Sequence, residues 1–148
     1  MSFSKLSTTN DVLAGVRLDG KHAFVTGATG GLGIETARAL ASVGASVTIA
    51  ARNRDKIDAA LDLLQRDIPS ASFSGVVVDL ASLSSVKAAT SEIVAQGQTV
   101  DLLINNAGVM MSPEGKTEDG FETQFGTNHL GHFALTGGLL PIIARGGR

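Results

Sequence analysis

The chain has 148 residues, with 12 Lys and Arg against 14 Asp and Glu for a formal net charge of −2, and no basic run that would track a nucleic-acid backbone. It contains no cysteine, which excludes a disulfide framework, a thiol nucleophile and a thiolate metal site. No apolar run approaches the roughly 18 residues of a membrane span, and the polar stretch 1–10 lacks the apolar core of a signal peptide, so the expectation is a one-domain cytoplasmic protein.

Residues 1–20 read as an arm leading into the domain at 21–148, with Val12, Leu13, Val16 and Leu18 expected to pack on the outside of a sheet. His22-Ala23-Phe24-Val25 supplies a short buried strand. Thr26-Gly27-Ala28-Thr29-Gly30-Gly31-Leu32-Gly33 comes next, and then a helix carrying Leu32, Ala37, Leu40, Ala41 and Val43 at roughly helical spacing. Glycines at such a junction let the backbone turn sharply and approach a pyrophosphate, while free N–H groups at the helix start face the anion. An ordinary strand-to-helix turn could use the same residues, so the reading depends on the rest of the chain.

Residues 46–51 form the second strand, and Asn53 is placed to cap a helix to about Asp67, with Ile57, Leu61, Leu64 and Ile68 on one face and Pro69 beyond its end. Residues 72–78 read as a third strand. Ser82 then caps a helix carrying Val86, Ala89, Ile93 and Val94, and residues 101–105 form a fourth strand. A polar loop over 112–120 leads into one long helix over roughly 121–143. Four apolar strands alternating with helices predict an α/β fold, a doubly wound parallel sheet of the Rossmann type with both faces covered.

With these elements in place, the chain resembles the classical branch of the short-chain dehydrogenase/reductase family over nearly its whole length. The glycine turn matches that branch through Thr26, Gly27, Gly31 and Gly33, and equally matches the extended branch through Gly27, Gly30 and Gly33. Asn105-Asn106-Ala107-Gly108, directly after the fourth strand, resembles the classical branch alone. The run from Phe121 through Asn128 to Phe133, together with Val109-Met110-Met111 and Asp119-Gly120, is similar to the retinol-dehydrogenase-like group.

The resemblance implies strand order 3-2-1-4. It also implies cofactor contacts from Thr26, Gly27, Thr29, Gly30, Gly31, Leu32, Gly33, Asn53, Leu80, Asn106, Ala107 and Gly108. Asp79 would hydrogen-bond the adenine ring, although an Asp there can equally initiate a turn before Ser82. Asn128 would be the helix asparagine of the catalytic set, which kinks its helix and holds a water of the proton relay. A polar Asn inside an apolar helix does need a partner, which a water can supply, and the competing reading is an unremarkable buried Asn.

The end of the second strand bears on the choice of nicotinamide cofactor. An NAD-preferring site places Asp or Glu about 20 residues beyond the glycines, whereas here Ala51 is followed by Arg52. A carboxylate would repel a 2′-phosphate; a guanidinium can bind one, and Arg54 or Lys56 adds to the positive field. The competing reading is a solvated helix start. NADP(H) is the expected cofactor. No metal is expected, because His129 and His132, three apart on one helix face, lack further ligands.

The family's proton-transfer Tyr, its Lys and its Ser come from a fifth strand and the helix after it, and this chain contains no tyrosine. Residues 144–148 read as the turn into that strand, the fourth strand is expected to be a bare edge, and the chain is expected to be a truncated cofactor half, inactive alone. The implied activity is NADP(H)-dependent hydride transfer to or from an apolar alcohol, aldehyde or ketone, in a homo-oligomer. The alternatives are a non-catalytic NADP(H)-binding module and an inactive truncated product.

Overall fold

Every residue of β1 (His22–Thr26) is buried. The reason is its place in the sheet. The computed structural model, which describes residues 3–143, sets four strands in the order β3-β2-β1-β4. All three pairings are parallel, β1 meeting β2 (Ser46–Ala51) on one side and β4 (Leu102–Ile104) on the other, while β3 (Phe73–Val77) lies beyond β2.

Alternate residues of each strand point to opposite faces, and each face has its own helices. Ala23, Val25, Val47 and Ile49 pack with Ala37 and Ala41 of α2 (Gly31–Ser42) and with Ile57 and Leu64 of α3 (Arg54–Asp67). Phe24 and Ala50 instead meet Val86 and Ile93 of α4 (Leu83–Gln96) and the fully buried Leu135 and Leu139. The helix starts are set by side chains. Asn53 accepts the Lys56 N–H at 2.9 Å, and Ser82 accepts the Ser85 N–H at 3.4 Å.

Two expectations need correcting. The arm does not lay its apolar residues on the sheet. It forms a one-turn helix, α1 (Thr9–Val12), closed by a Thr8–Asp11 capping box. Val12 and Val16 stay 47% and 40% exposed, and only Leu18 reaches the core. The docking is polar: Glu35 accepts the Thr9 hydroxyl, and Arg38 binds Glu35, Thr9 and Asn10.

The long helix is not continuous either. It runs as α5 (Thr123–Phe125), a π turn (Gly126–Gly131) and α6 (His132–Leu139). The tight spots are Gly131, where a Cβ would overlap the Leu80 carbonyl oxygen, and Gly126, where it would overlap the Thr117 methyl. These two glycines are the first and last residues of the π turn, so the backbone meets its neighbours closely at both of its ends. The π turn also separates the two histidines that regular helix geometry would put on one face: His129 is exposed and stacks on Phe125, while His132 is buried.

β4 is the outermost strand of the sheet, as expected, and the chain closes on the sheet again only just before it. There Val100 donates to the Ile142 carbonyl at 2.8 Å and bridges Ile143 in parallel. The turn expected at 144–148 lies outside the described residues. Among the described residues, no helix is long and apolar enough to cross a membrane.

Candidate functional site

The strand order brings the segments that come after β3, β2, β1 and β4 into one row, and together they enclose a groove of about 540 Å³. In open α/β sheets the crevice outside the carboxyl ends of the strands is where ligands bind. Thr26, Gly27, Thr29, Gly30, Leu32, Gly33, Arg52, Asn53, Asp79, Leu80, Asn106, Ala107 and Gly108 all line this groove. Gly31 and Asn128, singled out from the sequence, are not in its wall.

The middle of the groove is backbone. Gly27 has φ +68°, and a Cβ there would sit 2.8 Å from Ala107 Cα. Only glycine fits both demands. Gly33 is buried, and a Cβ on it would overlap the Gly27 carbonyl oxygen and lie 2.6 Å from Asn106 Nδ2. Gly30 and Gly31 face open space, with nothing within 4 Å of a Cβ. α2 has no side-chain cap, so its first-turn N–H groups are left for the groove.

The β1–β4 side is stitched by hydrogen bonds. Asn106 Nδ2 donates to the Thr26 carbonyl at 2.9 Å, and Thr26 Oγ1 accepts the N–H groups of Asn106 at 2.9 Å and Ala107 at 3.0 Å. Thr26 Oγ1 also meets His132 Nε2 at 2.9 Å, and His132 Nδ1 donates to the Asn128 carbonyl at 2.8 Å. The Asn128 side chain spends both of its functions on Val109, accepting its N–H and donating to its carbonyl, each at 2.8 Å. Asn128 is exposed and not enclosed in an apolar helix, and the partner its side chain takes is this loop residue.

The β2–β3 side is charged and open. Arg52 and Lys56 line the groove, and among the described residues neither makes an ion pair. Arg54 is turned to Asp58 at 3.1 Å and is not in the groove wall. Asp79 accepts the Ala81 N–H at 2.9 Å, and its own N–H donates to Ser85 Oγ at 3.0 Å, so it does shape the turn before α4. Nearby, the Gln124 and Phe125 N–H groups hold the Glu122 carboxyl below the usual range, which makes it an anionic cap for α5. Among the described residues, no group of three or more His, Cys, Asp or Glu could hold a metal.

Comparison with known proteins matches this arrangement. A family model described as short chain dehydrogenase covers residues 21–148. The chain belongs to the short-chain dehydrogenase family. It is 45% identical over 126 residues to retinol dehydrogenase 13 of Homo sapiens, a match taking in 85% of this chain and 38% of that protein. It is also 41% identical over 148 residues to short-chain dehydrogenase TIC 32 B, chloroplastic, of Brassica napus, covering 99% of this chain and 46% of the relative. The chain thus spans less than half the length of these relatives. Among solved structures, a metagenomic short-chain oxidoreductase in complex with NADP superposes with a TM-score of 0.71 at 28% identity, over 84% of this chain and 57% of that one.

Four wall residues of this short-chain dehydrogenase escaped the sequence reading: Ala50 and Val78, taken only as strand residues, and two outside the strands. Val109 and Thr127 both line the groove. Val109 comes directly after the Asn-Asn-Ala-Gly tetrad and could have been included on that ground. Thr127 had no local signal, because its position depends on the π turn that carries it.

Proposed function

We propose that this chain binds NADP(H) in the groove as the cofactor half of a short-chain dehydrogenase/reductase acting on an apolar alcohol, aldehyde or ketone. The observation that carries the cofactor choice is the pair of cations on the β2–β3 side, Arg52 and Lys56, which line the groove and make no ion pair among the described residues. A guanidinium and an ammonium are suited to a 2′-phosphate, and neither has to leave a protein carboxylate to bind one.

The fit extends along the groove. The open faces of Gly30 and Gly31 and the uncapped start of α2 leave room and donors for a pyrophosphate. Asp79 and Leu80 would take the adenine end and Asn106 to Val109 the other, an assignment that the row of strand ends supports. When bound, the nicotinamide supplies hydride transfer to or from the carbonyl or carbinol carbon. The chain's residues bind and orient it; Asn128 holds Val109, and through it the wall of the groove. An apolar substrate is supported by Met110 and Met111, 82% and 86% exposed directly after that wall, and by the naming of one relative as a retinol dehydrogenase.

The chain has no tyrosine, so the family's proton donor is not among these residues, and binding without turnover is expected of them alone. Titration with NADPH and NADH checks the reading. Saturable NADPH binding at least about tenfold tighter than NADH is expected, since the charge-assisted contacts act on the 2′-phosphate only. A cooperatively folded chain that binds neither would be incompatible with it.

A further inference from the structure

His132 contributes nothing to the groove wall, yet it is buried and bonded through both ring nitrogens. Thr26 Oγ1 accepts two backbone N–H groups, from Asn106 and Ala107. Its own hydrogen is left with two acceptors in reach, His132 Nε2 at 2.9 Å and the Ile104 carbonyl at 3.4 Å. The nearer is the imidazole. Nε2 is then the acceptor and the ring hydrogen is on Nδ1, which donates to the Asn128 carbonyl at 2.8 Å.

These bonds close a ring. Thr26 holds Asn106 and Ala107, the loop continues to Val109, Val109 is gripped by Asn128, and Asn128 returns through His132 to Thr26. The ring joins three separate places: the end of β1 at Thr26, the loop after β4, and the helix from Asn128 in the π turn to His132 at the start of α6. His132 is the side chain that ties the helix to the other two at Thr26. The β2–β3 end of the groove, with Arg52 and Asp79, lies outside this ring.

We infer that His132 is a positioning residue for the β1–β4 half of the groove: through the Thr26 hydroxyl and the Asn128 carbonyl it fixes the wall against which the part of the cofactor beyond its adenosine lies. The inference rests on the proposed binding of NADP(H). Side chains behind a binding wall act by keeping it in its bound geometry, so that binding does not have to order it. Loss of His132 should therefore weaken a ligand that reaches the β1–β4 half and spare one confined to the β2–β3 half. A residue that merely stabilised the fold would not divide the ligands this way.

The test uses two probes, NADPH and adenosine 2′,5′-bisphosphate, titrated into the wild-type chain and two variants. His132→Asn keeps a donor for the Asn128 carbonyl but is too short to meet Thr26. His132→Gln reaches as far as Nε2 and keeps an acceptor for the Thr26 hydroxyl. His132→Asn is expected to bind NADPH about tenfold more weakly and the bisphosphate within about twofold of wild type, with His132→Gln recovering most of the NADPH loss. Parallel loss of both ligands, no loss of NADPH, or no recovery in His132→Gln overturns the inference. Should His132→Asn melt without cooperativity, His132→Met, of similar length but with no ring nitrogen for Thr26 or Asn128, takes its place in the same two titrations, a parallel loss of both ligands again overturning the inference. A wild-type chain that binds neither probe overturns the cofactor reading and this inference with it.

Discussion

The two ends of the groove are built on opposite principles. At the β1–β4 end there is no charged side chain in the wall: Thr26, Gly27, Gly33, Asn106, Ala107, Gly108 and Val109 form it, and its shape is held by hydrogen bonds already made. At the β2–β3 end, exposed Arg52 and Lys56 stand in solvent, and little besides the cap at Asn53 and the turn at Asp79 is tied down. Under the proposed binding the first end works by shape, because an atom added at Gly27 or Gly33 meets backbone. The second, under the same proposal, works by charge, and its cations gain only when an anion arrives. Damage to the first should therefore cost fold and ligand together; damage to the second should cost one ligand and leave the fold alone.

The sharpest way to break this contrast is at Gly33. Gly33→Ala places a methyl where the Gly27 carbonyl oxygen already is, 2.6 Å from Asn106 Nδ2. The turn and the β4 loop must then part. Loss of measurable NADPH binding is expected, with about 1–3 kcal/mol of destabilisation from overpacking, read by ligand titration and urea unfolding of the same sample. Normal stability with normal binding would remove the claim that this end is held by close backbone approach.

Arg52→Ala tests the other end. It should weaken NADPH between about tenfold and a hundredfold, the range that charge-assisted hydrogen bonds span. NADH affinity should change by less than about twofold, and urea unfolding should not move beyond about 0.5 kcal/mol. Equal losses of NADPH and NADH would mean that Arg52 serves the groove in general and not a 2′-phosphate.

The contrast also explains what could be read in the sequence. The sheet was legible because its signals are local: apolar runs such as residues 46–51, glycines at a strand end, and caps at Asn53 and Ser82 that the structure reproduces. The groove was largely legible because its residues sit directly after strands, and strand order alone then brings them together. What escaped depends on contacts between distant segments. The π turn lies where helix backbone meets Leu80 and Thr117, and no periodicity in residues 121–143 reports those neighbours. The burial of His132 beside Thr26, 106 positions away, was hidden for the same reason. The arm misled because apolar spacing suggested packing, while a Thr8–Asp11 box and the Glu35–Arg38 pair decided its place.

Asn128→Leu probes the join between the helix and the prebuilt end. It removes two 2.8 Å bonds to Val109, at a partly solvated site where each is worth about 0.5–1.5 kcal/mol. A loss of about 1–2 kcal/mol in urea unfolding is expected, together with faster hydrogen exchange at the Val109 amide and no change in the Lys56 amide beneath the Asn53 cap. Equal acceleration at both amides would mean that the two ends are not mechanically separate.

The smallest effect concerns the arm, which touches neither end. Arg38 and the Thr9 hydroxyl hold the Glu35 carboxyl down to about 2, from an ordinary value of 4.5. A carboxyl lowered on folding adds stability that is fully present above its unfolded value and is lost as pH falls through its folded one. The arm's grip should therefore be constant above about pH 5, weaken below the ordinary 4.5, and be gone near pH 2. Because the Arg38 and Glu35 side chains are 27% and 42% exposed, the whole effect should stay under about 1 kcal/mol and shrink with salt. Hydrogen exchange at the Leu13 amide, which closes α1 onto the Thr9 carbonyl, gives the readout between about pH 5 and pH 2 after correction for the intrinsic rate. Glu35→Gln should abolish the pH dependence across that interval while leaving NADPH affinity at both ends of the groove as it was. A pH-dependent arm in Glu35→Gln would move the titrating group elsewhere, with Asp11 in the Thr8 capping box, whose carboxyl is also lowered, as the next to substitute.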